Sequence, residues 1–197
     1  MSKCRVKIRG IKPLIMHRFN LESITAQRKP KSGSSGNDPD EWKVSFHHNG
    51  GKIYVPGAYI FAALKNGSVN TKVGRGTIQK TLISAINIDE EIIYTNREMF
   101  DKWESMEIDA VPKDSSLPVY VDVRAVSNPN TKGKNIRYRL ALSKGWELEF
   151  NVILDDTLIS QSQMKKVIED TGKLQGLCDA RTLGYGRFEL VEFEVEK

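Results

Sequence analysis

Lys52-Ile53-Tyr54-Val55-Pro56-Gly57-Ala58-Tyr59-Ile60-Phe61-Ala62-Ala63-Leu64-Lys65 is the stretch on which the fold turns. Lys52 to Val55 is rich in β-branched and aromatic residues and reads as a strand. Pro56-Gly57 punctuates it, because proline has no N–H for a ladder and glycine has no Cβ. Ala58, Ile60, Phe61, Ala62, Ala63 and Leu64 then form a helix with an apolar inner side, closing at Asn66-Gly67.

The C-terminal part offers the complementary half. Trp146, Leu148, Phe150, Val152 and Leu154 alternate with polar residues, the period of a half-buried strand. Ser160 is a suitable N-cap for a helix to Thr171, with Met164, Val167 and Ile168 on one stripe and Gly172 as its stop. A glycine-rich segment, 176–187, leads into a last strand from Phe188 to Glu196. At the other end, Val6 and Ile8 alternate with Arg5, Lys7 and Arg9, a first strand with one basic face that Pro13 to His17 continues past a kink. A second helix is expected over 77–86, a strand over 89–94, and a short strand at Trp42, Val44 and Phe46. Val119 to Val126 and Ile136 to Leu140 read as two strands joined by the turn 128–135. Strand, loop, strand, helix at the start and strand, helix, loop, strand at the end imply an α+β fold. Its sheet is antiparallel with helices on one face, in a modified ferredoxin-like or RRM-like arrangement. A single domain over 1–197 is expected, with a flexible insertion at 20–51 and an inserted hairpin region at 95–145.

The bulk chemistry narrows the function. The chain has 197 residues and a formal net charge of +5, which favours anionic partners. Two cysteines, Cys4 and Cys178, make neither a disulfide framework nor a C-x-x-C site. The opening residues lack an apolar leader and no apolar run reaches about 18 residues, so the sequence reads as cytoplasmic and without a membrane segment.

Four constellations bear on chemistry. Arg124, Lys132, Lys134, Arg137, Arg139 and Lys144 fall in one window without an acid. Arg137 and Arg139 share a strand face and suit successive phosphates, or else the segment is a solvated hairpin. Gly184-Tyr185-Gly186-Arg187, with Arg181 before it, can bring backbone N–H groups and two guanidinium forks to a phosphate and a ring to a base, or can simply be a tight turn. Gly74-Arg75-Gly76 precedes a helix but lacks the Gly-Lys-Ser/Thr of a P-loop, which excludes nucleotide hydrolysis by that route. His17 is a candidate acid or base for RNA cleavage, and Asp38 and Asp40 are candidate supporting carboxylates; a phosphate-contacting histidine and a solvated loop are the plainer readings. His47-His48 are adjacent and point to opposite sides of an extended chain. No metal motif, hydrolase elbow or cofactor signature occurs.

The segment Lys52 to Lys65 resembles the strand, Pro-Gly and small-residue helix element of the RAMP superfamily, which includes the backbone subunits of CRISPR effector complexes. Leu183-Gly184-Tyr185-Gly186-Arg187-Phe188 resembles that family's glycine-rich loop, and Val6 to Leu14 its first strand. The resemblance implies a modified RRM fold that binds guide RNA along a filament of repeated subunits. Carried over by position, Lys12, His17 and Arg18 would lie near RNA at the end of the first strand and Arg75 in a helix-side loop. Arg181, Tyr185 and Arg187 would lie in the glycine-rich loop, and Lys132, Lys134, Arg137 and Arg139 in a projecting thumb. The chain departs from the pattern in its length, its two close glycines, and the loose match of Asp38, Asp40 and His17 to the family's catalytic positions, so the fold carries over better than catalysis.

These observations give the expectation of a non-catalytic protein that binds single-stranded nucleic acid, RNA in preference to DNA, through the sheet and its basic loops. Its further partners would be copies of itself and other effector subunits. The alternatives are an endoribonuclease of the same fold, and an interaction module in which the acidic last strand docks a neighbour's basic hairpin.

Overall fold

The structure, a computed structural model, describes residues 1–18, 38–127 and 133–196. It is an α+β protein built on antiparallel strands. The strands, in chain order, are β1 (Ser2–Gly10), β2 (Leu14–Ile15), β3 (His48–Asn49), β4 (Lys52–Pro56), β5 (Lys72–Val73), β6 (Gly76–Thr77), β7 (Ile86–Ile88), β8 (Ile92–Glu98), β9 (Val119–Ser127), β10 (Lys134–Leu142), β11 (Glu147–Leu154) and β12 (Phe188–Glu196). The helices are α1 (Glu41–Val44), α2 (Gly57–Gly67), α3 (Gln79–Ala85) and α4 (Gln161–Asp170).

The main sheet runs β12-β1-β11-β8-β4-β3, with β7 also on β11. A smaller sheet runs β2-β10-β9, and β5 and β6 pair by themselves. One face of the main sheet is buried: Cys4, Val6 and Ile8 of β1 and Leu148, Phe150 and Val152 of β11 meet Ile60 and Leu64 of α2 and Met164, Val167 and Ile168 of α4 in one core. Ser160 caps α4 reciprocally with Gln163, its side chain accepting from the Gln163 amide at 3.3 Å and its own amide donating to the Gln163 side chain at 2.9 Å. Such a cap stabilises a helix by about 1 kcal/mol.

The Pro-Gly element has a packing reason. A Cβ on Gly57 would stand 2.0 Å from the Glu90 carbonyl oxygen, so only glycine lets α2 start directly against the turn between β7 and β8.

Several local expectations are corrected. Trp42, Val44 and Phe46 are not a strand: α1 turns there so that Trp42 and Phe46 both enter the core. The expected helix over 77–86 is shorter, and Ile86 already opens β7. Gly172 does not end α4, because a wide helical turn continues over Thr171–Gln175 and stops at Gly176, whose φ is 78°. Leu14 and Ile15 do not continue β1. The Ile11 and Lys12 amides turn to the Arg187 carbonyl, and β2 joins β10 in the smaller sheet. Most of the expected insertion at 20–51, and residues 128–132 of the expected turn 128–135, lie outside the described residues. No helix among the described residues is long and apolar enough to cross a membrane.

Candidate nucleic-acid interface

The outer face of β1 carries Lys3, Arg5, Lys7 and Arg9. Each cation has a carboxylate from the same chain. Arg5 meets Glu149 at 2.7 Å and Glu194 at 3.4 Å, with Glu192 at 3.9 Å. Lys7 and Arg9 share Glu147 at 3.2 and 2.8 Å, and Lys3 meets Asp89 at 3.0 Å. The register causes this, because Lys7 lies opposite both Glu149 and Glu192 and Arg5 opposite Glu194. The cations of β1 are therefore neutralised internally, which corrects the expectation that β1 offers a basic face. The same pairing gives Glu192 and Glu194 of the last strand a partner within the chain rather than in a neighbour's hairpin.

The second surface is where three distant segments meet. The end of β1 and β2 are stitched by backbone to the glycine-rich loop: Asp179 N donates to the Ile15 carbonyl at 3.0 Å, Gly186 N to Pro13 at 2.8 Å, and Leu177 N to Gly186 at 2.9 Å. Gly186 sits at φ 69°, and a Cβ there would lie 2.0 Å from the Leu177 carbonyl oxygen. The glycine thus serves closure of the loop on itself. At the loop tip, Gly184 has open space around it and Leu183 is 67% exposed. Ile15, Tyr120 and Ala141 form a small apolar seat for Ala180 and Tyr185 and so fix the loop on the β9–β10 ladder.

On the same face of that ladder stand Asp122 and Arg124 of β9 and Arg137 and Arg139 of β10. Arg139 is buried, ion-paired with Asp179 through Nη1 and 3.7 Å from Asp122 through Nη2. Arg124 pairs with Asp122, donates to the Tyr185 hydroxyl at 2.8 Å and lies over its ring. Arg137 forks onto Glu41 at the start of α1, whose carboxylate also accepts from Tyr138 N at 3.1 Å. The acid-free window of the sequence is thus furnished with acids from elsewhere.

The electrostatics follow from this packing. Burial lowers the His17 pKa below its usual 6.5, and the nearby Arg137 guanidinium lowers it further. Burial opposes ionisation of Asp179, but the Ala180 amide and Arg139 outweigh it and its pKa falls. Burial, with the Asp122 charge, pushes Tyr120 up to about 12. The Asp122 hydrogen bond, ahead of all other causes, raises that of Arg124, which stays charged. A cleft of about 380 Å³ opens beside them, lined among others by Lys113, Ser115, Tyr120, Asp122, Arg124 and Tyr185.

The sequence-derived residues divide accordingly. Lys12, His17, Arg18, Arg137, Arg139, Arg181, Tyr185 and Arg187 belong to the segments brought together here. Lys12 and Arg18 are exposed, and among the described residues no carboxylate pairs with either. Arg187 buries Nη1, and Arg139 buries Nε, without a partner among the described residues. Arg75 is not in this group: it sits between β5 and β6, a separate exposed hairpin. Lys134 is exposed at the start of β10, and Lys132 lies outside the described residues. Asp38 accepts from the Asp40 amide at 3.0 Å and Asp40 pairs with Lys43 at 2.8 Å, which occupies both in shaping the start of α1. Glu41, Asp122, Asp179 and Tyr120 were missed by sequence reasoning. Asp122 two residues before Arg124 on one strand was the available signal; Glu41 carried none.

No family model matches the chain, and a search of curated proteins finds no match. Among solved structures, the chain is similar to a subunit of the type III-B Cmr-beta complex bound to cognate target RNA, with a TM-score of 0.58 at 16% identity. The match covers 100% of this chain and 61% of that one, so the chain spans less than two thirds of that subunit's length. A chain of a type IV-B CRISPR complex matches with a TM-score of 0.49 at 10% identity, over 98% of this chain and 90% of that one. The first similarity is one of fold.

Proposed function

We propose that this protein binds single-stranded nucleic acid, RNA in preference to DNA, as a backbone-type subunit of a CRISPR-type ribonucleoprotein. The strand lies along the junction of the β1–β2 segment, the glycine-rich loop and the β9–β10 ladder. The observation that carries the reading is that junction: three segments, each suggestive of phosphate or base contact, are tied to one another by backbone hydrogen bonds on one side of the molecule. The fold likeness to a subunit of an RNA-bound complex supports the reading.

The roles differ from residue to residue. Lys12, Arg18, Arg181 and Arg187 supply charge to phosphates. Arg139 and Arg137 are anchors: they hold the ladder to the loop and to α1 through carboxylates. Tyr185 and Arg124 act as one unit, a guanidinium on a ring beside an open cleft, which presents an arginine plane as well as a tyrosine edge to an unpaired base.

The test is light scattering and anisotropy on nuclease-treated protein with long unpaired RNA and DNA strands across a salt series. A strand-dependent rise in mass, with log affinity falling linearly against log salt, is the expected outcome. Unchanged elution with either strand at low salt would exclude the function and leave only the fold.

A further inference from the structure

The exposed face of the main sheet has two halves of different chemistry. In the β12-β1-β11 half the cations of β1 are held in ion pairs. The β8-β4-β3 half carries rings. Tyr54 and Tyr94 stand directly opposite each other in the β4–β8 register, on the side away from the buried Ile53, Val55 and Ile93. Their centroids are 6.0 Å apart, edge to face. His47 continues the row, 5.3 Å from Tyr54, and then Tyr59 at the start of α2, 5.5 Å from His47. The His47 Nε2 and the Tyr59 hydroxyl are 3.3 Å apart, and Asn49 donates to the Tyr94 hydroxyl at 3.3 Å. Tyr94 is 44% exposed.

The row is not isolated from the junction described above. Arg18 follows His17 in the chain, and its amide donates to Ser45 two residues before His47. Its charge is close enough to act on both His47 and Tyr59. A cation therefore stands where the aromatic row meets the basic junction.

We propose that the row Tyr59–His47–Tyr54–Tyr94 is a second nucleic-acid subsite, where unpaired bases of the same strand stack after its backbone passes Arg18. The inference rests on the reading of the protein as a single-strand binder and adds where the bases go. Three observations favour bases over a protein side chain as occupant. The rings end in hydroxyl, imidazole and amide groups that can meet base edges. The cation at the row's end suits a phosphate. The cations of the neighbouring half of the same face are already matched by carboxylates of this chain, so that half offers no free cation to an acidic protein partner.

The decisive measurement uses Tyr94→Ala and Tyr94→Phe, with anisotropy of a labelled oligouridine as readout and a thermal melt to check folding. A ring that stacks on a base loses about tenfold in affinity on truncation to alanine, and the phenylalanine variant binds like the parent. Photocrosslinking of the unaltered protein to a thiouridine strand, read by peptide mass, should label the β4 and β8 peptides. Parent-like binding by Tyr94→Ala without label on those peptides overturns this subsite while leaving nucleic-acid binding intact. Failure of the unaltered protein to bind any strand overturns both. Break-up of a strand-free oligomer by Tyr94→Ala also overturns it, by assigning the rings to a protein interface.

Discussion

The guanidinium carbon of Arg124 lies 4.6 Å from the ring centroid of Tyr185, and one of its nitrogens donates to the hydroxyl of that same tyrosine at 2.8 Å. A residue of β9 thereby locks the glycine-rich loop, and the ring offered by the sequence as a base platform already carries a cation.

The lock is measurable. Tyr185→Phe keeps the ring and removes the hydroxyl, and should cost about 1 kcal/mol in a urea titration. Tyr185→Leu removes the cation–π contact as well and should cost about 1 kcal/mol more. Equal stability of the parent and both variants would mean that the loop is held by its backbone alone.

Arg139 tests the distinction between anchor and contact. Its side chain is 6% exposed between Asp179 and Asp122. Arg139→Ala leaves Asp179 without its cation, while Asp122 keeps Arg124, and should destabilise the fold by about 2 kcal/mol. Arg139→Lys should recover only part, because a single ammonium cannot span both acids as the fork does. Arg18→Ala should leave stability unchanged and reduce the salt slope of strand binding by about one. A stable Arg139→Ala protein with weakened binding would reverse these two roles.

The ion-paired half of the sheet gives a negative control. Arg5→Gln removes a cation already shared among Glu149, Glu192 and Glu194. Strand affinity and salt slope should match those of the parent. A slope reduced by about one would show that strand phosphates displace those glutamates.

His17 sets a pH dependence. Its folded pKa lies below the usual 6.5, so at mildly acidic pH the unfolded chain holds more protons at this site than the folded one. The stability it contributes is present above about pH 6.5 and is lost as pH falls through the folded value. His47 is lowered in the same sense, chiefly by burial, and adds to the loss. Urea midpoints measured down from neutral pH should decline, and His17→Gln should flatten part of that decline. An unaltered pH profile in His17→Gln would mean that the ring titrates alike in both states. If the ring served strand cleavage, His17→Gln would abolish it, and labelled RNA incubated with parent and variant decides that.

What the sequence determined by itself was local. Periodicity marked β1, β4, β9, β10, β11 and β12, as well as α2 and α4, because alternation and helical spacing are properties of consecutive residues. It also singled out the glycine-rich loop and the basic window, which the fold brings into contact. The tertiary structure alone decided which charges are free. Arg137 finds Glu41 across 96 positions and Arg139 finds Asp179 across 40, and Arg5 meets Glu194 only because β12 returns beside β1. The aromatic row is equally non-local, since Tyr54 and Tyr94 meet through strand register. Net charge counts side chains, but a phosphate responds to the field that remains after carboxylates have paired with them, and that pairing is fixed by sheet order rather than by neighbours in sequence.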